Sequence, residues 1–361
     1  MDGLMDLGHQ TYVVTPQENR FTDALSELRI PYRVIPLDWW MALRPFSLSQ
    51  ELKWIVRLFT SLPELKKTIK EWNIDLIYTN TSVIPAGRFS AFLLRKPHIW
   101  HIREFGDLDF SLKFIFSNQV CKKIIASSQA VICNSKAVQN HFFDTPSDNI
   151  HLVYNGSVTK TRYDQLLEQQ KTRTSNSPFT FAMVSLISPK KGQYWAIKAM
   201  AELKKSGLEA KLIIAGHGKQ SYVQSCMELA EELDVSDKVL FTGFIDDPYT
   251  IYLSADCILI CSENEALSRV ALEAMACGAP LIARDSGGNP EIFEHEKTGL
   301  LFNDFDELVD CMIKAVKDPG WIKQIGYAGW QSAKDKFTIE NYSSKVNEII
   351  NAVLTEESRN A

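Results

Sequence analysis

The stretch from Ser262 to Gly288, SENEALSRVALEAMACGAPLIARDSGG, restricts the fold of this chain more than any other. Ile258, Leu259 and Ile260, just before it, read as a buried strand, and after them comes a polar turn carrying Glu265. Ser268 stands where the N-cap of a short helix is expected, and Gly278, ahead of Pro280, stops that helix. The order is strand, turn, helix, strand. A helix start offers unpaired backbone N–H groups and the positive end of a dipole, which suits an anionic ligand such as a diphosphate. Glu265 lies just outside that start and Glu273 inside the helix, so carboxylates spaced E-x7-E would meet one ligand at different points along its length.

A lone pair of glutamates is more often a solvated helix face, and here the weight comes from the residues on its C-terminal side. AMACGAPLIA leads to SGGNPEI, where Gly287 and Gly288 turn the chain and Asn289 with Pro290 stand as N-cap and N1 of the next helix. Together these residues resemble the retaining nucleotide-sugar glycosyltransferases of family 4. Their hallmark is E-x7-E with EAMA, a small-residue strand and a GG-x-PE turn after it. The resemblance implies an α/β chain of GT-B fold, two Rossmann-like domains facing each other across a cleft. It also places Glu265 against the donor sugar and Glu273 on the nucleotide's ribose, with Leu267, Ser268 and Arg269 between them in the donor site.

The remaining chain fits such an architecture. At 361 residues it is long enough for two domains. After Thr15, helices and strands alternate: a helix near Arg20–Leu28, strands at Tyr32–Ile35, Leu76–Thr79, His98–Ile102 and Ala130–Asn134, and a helix near Ile84–Leu94. That alternation predicts one mostly parallel sheet covered by helices on both faces. The expected domains are 1–170 and 178–336, separated by the polar run Lys171–Ser177, with 337–361 a helix returning to the first domain as in GT-B proteins. The beginning departs from the pattern. LMDLGHQ reads as the end of a helix with Gly8 past its last turn, where a Rossmann-like domain starts with a strand and a glycine-rich loop. The 361 residues are therefore expected to be an N-terminally shortened form.

In the first half, HIREFG with IYTNTSV before it resembles the family's region in which a histidine faces the donor sugar; that residue is His101. Asp107 and Asp109 form a D-x-D, read as a solvated loop and not as a metal site. Trp39, Trp40, Met41 and Phe46 precede a helix with Leu52, Ile55, Phe59 and Leu62 in one stripe and Lys53, Arg57, Lys66, Lys67 and Lys70 nearby. This suits either a membrane interface or a core-facing helix with solvated lysines. In the second half, Lys191 and Gly192 of SPKKGQ resemble the family's K-G pair, whose lysine neutralises the donor diphosphate. The arginine usual five residues earlier is replaced by Leu186, and Arg269 is a candidate substitute. Gly216 and Gly218 of GHG are expected to let backbone approach the nucleotide.

Composition narrows the alternatives. A net charge of −5 disfavours nucleic acid as a partner. Seven scattered cysteines without C-x2-C spacing argue against zinc and against a disulfide framework. No run approaches the ~18 apolar residues of a membrane span, and the start lacks a leader's basic and apolar regions. The expectation is a cytoplasmic, metal-independent transferase without a cofactor, with contact at the inner membrane face admitted. Its donor would be UDP- or GDP-linked and its acceptor a saccharide or a lipid-linked saccharide. A nucleotide-sugar epimerase of the same architecture and a non-catalytic nucleotide-sugar binder are the alternatives.

Overall fold

The computed structural model describes residues 1–43, 56–57, 59–145, 147–173 and 177–360. Phe46, Leu52, Lys53 and Ile55 of the proposed stripe, and 174–176 of the polar run, lie outside the described residues. The chain divides into two units, Met1–Tyr154 with Tyr342–Ala361, and Asn155–Asn341.

In the first unit β1 (Val13–Thr15) and β2 (Tyr32–Val34) form a parallel pair. Short β3 (Met41–Ala42) pairs antiparallel with β6 (Lys113–Phe114). A four-stranded parallel sheet has the order β4 (Ile77–Thr79), β5 (His98–Ile102), β7 (Ala130–Cys133), β8 (Ile150–Leu152). Strands expected in one sheet thus fall into two among the described residues. What joins them is side-chain packing: Leu65 and Ile69 of the helix Leu62–Glu71 are buried in one apolar cluster with Val14 of β1 and Ile77 of β4. Trp40, Met41 and Leu62 are buried as well, so these members of the apolar stripe belong to the core; Trp39 and Phe59 are exposed. Trp40 stacks on Trp100 with ring centres 5.5 Å apart, and its Nε1 donates to the Ser82 carbonyl at 2.7 Å.

The helix Ile339–Asn360 lays Val346, Ile349, Ile350 and Val353 against Ile99, Ala130, Ile132 and Val153 of the four-stranded sheet and its end. The helix Lys160–Lys171, expected in the first domain, lies in the second unit, where it packs on the helix Arg269–Ala276. Its buried face, Tyr163, Leu166 and Leu167, suits a partner on either side of a junction, and pattern alone does not choose between them.

The second unit is built on one parallel sheet of six strands in the order β11-β10-β9-β12-β13-β14. These are β9 (Phe179–Val184), β10 (Ala210–Ala215), β11 (Val239–Gly243), β12 (Cys257–Ile260), β13 (Leu281–Arg284) and β14 (Leu300–Phe302). β9, β12 and β13 are almost wholly buried, as strands covered by helices on both faces must be. The direction of winding reverses between β9 and β12, a switch point where loops diverge and leave a crevice at the carboxyl edge. All seven cysteines are free and buried.

Candidate functional site

At that edge three loops meet. The loop after β9 ends in a short turn, Pro189–Lys191, and then Gly192 in the left-handed region at φ +74. A side chain on Gly192 would stand 2.5 Å from the Cys261 carbonyl oxygen, so only glycine lets this loop press against the end of β12. The contact brings Lys191 to the turn after β12, where its Nζ meets Glu265 Oε1 at 2.5 Å, both side chains largely shielded.

From the other side, the turn after β13 pins the same residue. Gly288 donates its N–H to the Glu265 carbonyl at 2.7 Å, and a side chain on Gly287, at φ +58, would overlap that oxygen. Glu265 is thus carried on a loop fixed through its backbone while its carboxylate faces the lysine. Gly288, not Asn289, occupies the N-cap of the helix Asn289–Ile292; the Asn289 amide donates instead to the Arg284 carbonyl at 3.0 Å.

The helix Arg269–Ala276 starts as the sequence predicts, with Ser268 accepting from the Ala271 N–H at 3.2 Å, and Gly278 leaves it at φ +68. Leu267 is buried. Glu273, one turn in, accepts from the Tyr252 hydroxyl at 2.9 Å through Oε2, while Oε1 lies 3.3 Å from Arg269 Nε. Burial pushes the Glu273 carboxyl above its ordinary value, and Arg269 and Tyr252 pull against that. Arg269 itself is 81% exposed, so its pairing is screened. Nothing in the sequence pointed to Tyr252, which lies in the helix Tyr249–Ser254 and is fully enclosed.

Gly216 and Gly218 are required by packing. Side chains there would overlap the carbonyl oxygens of Ser185 and Ile187, so both glycines let the loop after β10 pack on the loop after β9. Ile187 N–H donates to the His217 carbonyl at 2.7 Å in the same contact. Leu186, in place of the family's arginine, is 50% exposed and supplies no charge.

In the first unit His101 sits in β5 with no exposed surface. Its Nδ1 is 2.8 Å from the Tyr78 hydroxyl and 3.4 Å from that of Tyr342, whose ring stacks on the imidazole. Nε2 has no partner among the described residues. Burial, helped by Arg103, pushes the imidazole down to about 3, so it is neutral near pH 7. The expectation of a histidine turned to a sugar therefore meets an enclosed ring in this structure, with Arg103 and Glu104 next along the chain at the strand's carboxyl end. Glu104 accepts from the Thr81 hydroxyl at 2.5 Å and from both the N–H and hydroxyl of Ser82, holding the loop after β4. The D-x-D carboxylates are engaged separately: Asp109 accepts the N–H groups of Phe105 and Gly106, and Asp107 meets His141 Nε2 at 2.9 Å.

Two α/β units, one with charged loops at the switch point of a six-stranded parallel sheet, define the GT-B class of glycosyltransferase folds, and solved structures agree. HepE of Anabaena in complex with UDP-glucose superposes with a TM-score of 0.74 at 24% identity, over 94% of this chain and 91% of that one. The sequence profile described as Glycosyltransferase Family 4 matches residues 1–160, and that described as Glycosyl transferases group 1 matches 164–331. The chain belongs to glycosyltransferase family 4. Among its relatives, N-acetyl-alpha-D-glucosaminyl L-malate synthase of Bacillus anthracis is 28% identical over 66% of this chain and 64% of its own length. Alpha-monoglucosyldiacylglycerol synthase of Acholeplasma laidlawii is 25% identical over 88% and 83%. The match spans only 45–64% of the length of three curated relatives, the first of these included.

Proposed function

We propose that the protein transfers a sugar from a nucleotide-sugar donor to a saccharide or lipid-linked acceptor, with retention at the anomeric carbon and without a metal. The observation that carries this reading is the convergence of Lys191, Glu265 and the capped helix start at one switch point. Breaking a sugar–phosphate bond builds negative charge on the departing diphosphate while the ring approaches an oxocarbenium ion. A fixed cation and unpaired helix N–H groups stabilise that charge. Lys191 and the turn at Ser268 supply both, and the exposed Arg269 can swing towards the same charge.

In this scheme the acceptor hydroxyl attacks from the face the diphosphate leaves and gives its proton to that diphosphate. Glu265 orients the sugar and Glu273 the ribose, so the two do not form an acid–nucleophile pair of the glycosidase kind. Gly216 and Gly218 border the nucleotide through the loop they pack, and His101 acts through the first unit. UDP-glucose in HepE and GDP-mannose in the name of a Mycobacterium tuberculosis relative support a UDP- or GDP-linked donor, and a diacylglycerol glycoside in the name of the Acholeplasma relative supports a lipid-linked acceptor for cell-surface glycan synthesis. No helix of the described residues is long and apolar enough to cross a membrane.

Leu186 favours a second reading, a nucleotide-sugar binder without turnover. Nucleotide release measured with and without acceptor separates the two. A thermal-shift panel of UDP- and GDP-sugars identifies the donor, since a ligand at a hundred times its Kd adds about 2.7 kcal/mol of stability. Release that depends on acceptor supports transfer; release without any acceptor indicates a hydrolase; conversion of the nucleotide sugar to its epimer without net release indicates an epimerase; binding without any turnover indicates the binder.

A further inference from the structure

Glu273 holds its two oxygens in unequal ways. Oε2 accepts a hydrogen bond from the Tyr252 phenol, whose ring is completely enclosed and lies in the helix Tyr249–Ser254 packed on the Glu273 helix. Oε1 faces an exposed arginine across 3.3 Å, a contact that solvent screens and a ligand can displace. A carboxylate has about four lone-pair sites. With Tyr252 on one of them, both sites on Oε1 and one on Oε2 stay open for a pair of neighbouring hydroxyls. A ribose presents such a pair.

We propose that Tyr252 is a positioning residue for nucleotide binding: its hydroxyl fixes the plane of the Glu273 carboxylate so that the remaining lone pairs meet the 2′- and 3′-hydroxyls of the ribose. The proposal rests on the reading of Glu273 as the ribose acceptor. It assigns Tyr252 no contact with the nucleotide and no part in the chemistry.

The arrangement has a pH consequence. Burial raises the Glu273 carboxyl and the Tyr252 hydrogen bond opposes it by favouring the ionised form. The titratable and charged groups around Glu273 are Arg269 and Cys277 on its own helix and Tyr249 and Tyr252 on the neighbouring one. The packed helix Lys160–Lys171 brings Arg162 to Tyr249 and Cys277. The helices Asn289–Ile292 and Pro319–Lys334, also packed on the Glu273 helix, carry Glu291, Lys323, Tyr327 and Lys334. Deleting the phenol oxygen removes one of the two stabilisers of the carboxylate and leaves burial unopposed except by Arg269. Loss of nucleotide affinity on acidification then begins at a higher pH.

The test titrates UDP and GDP into the full chain by calorimetry between pH 5 and 8, for the parent, Tyr252→Phe and Glu273→Gln. Tyr252→Phe is expected to weaken the nucleotide that binds by roughly 3- to 10-fold, to raise KM with kcat retained, and to move the acid limb of affinity to higher pH. The 2′-deoxy nucleotide should lose less. If Glu273→Gln binds as the parent does, the ribose reading of Glu273 fails. If Glu273→Gln is weakened while Tyr252→Phe keeps the parent's affinity and acid limb, the ribose reading stands and this proposal is overturned. A carboxyl NMR titration of ligand-free protein reads the same pair independently of binding: an unmoved Glu273 midpoint in Tyr252→Phe also overturns it.

Discussion

At the carboxyl edge of the second unit's sheet, Lys191 and Glu265 meet as ions at 2.5 Å and Arg269 stands exposed beside Glu273. In the first unit's four-stranded sheet the polar groups of the central strand are neutral. His98 is enclosed between Thr79 and Ser128, 2.8 and 2.9 Å away, and His101 lies against Tyr78, with both imidazoles pushed down to about 3 by burial. One sheet edge stores opposite charges in contact, which a charged ligand can re-pair. In the other sheet β5 hydrogen-bonds its histidines to neighbouring hydroxyls. Similar α/β scaffolds thus place paired charges in the loops beside the switch point of one unit, and enclosed neutral histidines within a central strand of the other, whose charged Arg103 and Glu104 follow only at the strand's end.

The largest test of that contrast is Lys191→Ala, which removes the cation proposed to face the developing diphosphate charge. Turnover should fall by roughly 10²–10³-fold, measured as acceptor-dependent nucleotide release; a loss of only a few-fold would place the stabilising charge elsewhere. Next comes Glu273→Ala, expected to weaken nucleotide binding by about 1.5–3 kcal/mol in calorimetry. Glu265→Ala should leave that affinity near the parent's and depress turnover, and equal affinity losses in both variants would erase the division between the two carboxylates.

A smaller effect sharpens the contrast from the first unit's side. The folded values of His98 and His101 lie below the unfolded value of 6.5, so the unfolded chain binds more protons between about 3 and 6.5. The stability contribution is complete above pH 6.5 and declines as pH falls through that window, by at most about 1.4 kcal/mol per pH unit for each ring. Hydrogen exchange at pH 7 and pH 5 should therefore show residues of β5 and β7 losing more protection than those of β9 and β12. Uniform loss would mean the histidines are not what differs. The smallest expected effect is from EDTA: turnover unchanged. Loss on chelation restored by Mg2+ would reopen Asp107 and Asp109 as ligands.

Much of the second unit was legible in the sequence because its signals are local. Ile258, Leu259 and Ile260 form most of β12 as their apolar run predicts, and Ser268 and Gly278 delimit the helix as capping rules require. Asn289 was misplaced because a short amide satisfies either a helix start or a nearby strand carbonyl, and here Arg284 takes it. The reason for Gly216 and Gly218 was hidden too, since what fills the missing side-chain space is a loop some thirty residues earlier, at Ser185 and Ile187. His101 was found as a strand residue, but its enclosure depends on Tyr342, 241 positions later. No local pattern encodes such a contact. Tyr252 is similar: an aromatic residue on a short helix reads as core, and only packing reveals that its one polar side-chain atom meets a carboxylate.

The helix that closes the first unit is made after the whole of the second. Val346, Ile349, Ile350 and Val353 cover apolar residues of β5 and β7 that leave the ribosome long before them. Asn155–Asn341 must be synthesised in between, which at ~5–20 residues per second takes on the order of ten to forty seconds. For that interval the nascent first unit presents an open greasy seam while the second can already close upon itself. The second unit can therefore complete its core before the first, and the exposed seam in that interval is formed by Ile99, Ala130 and Ile132.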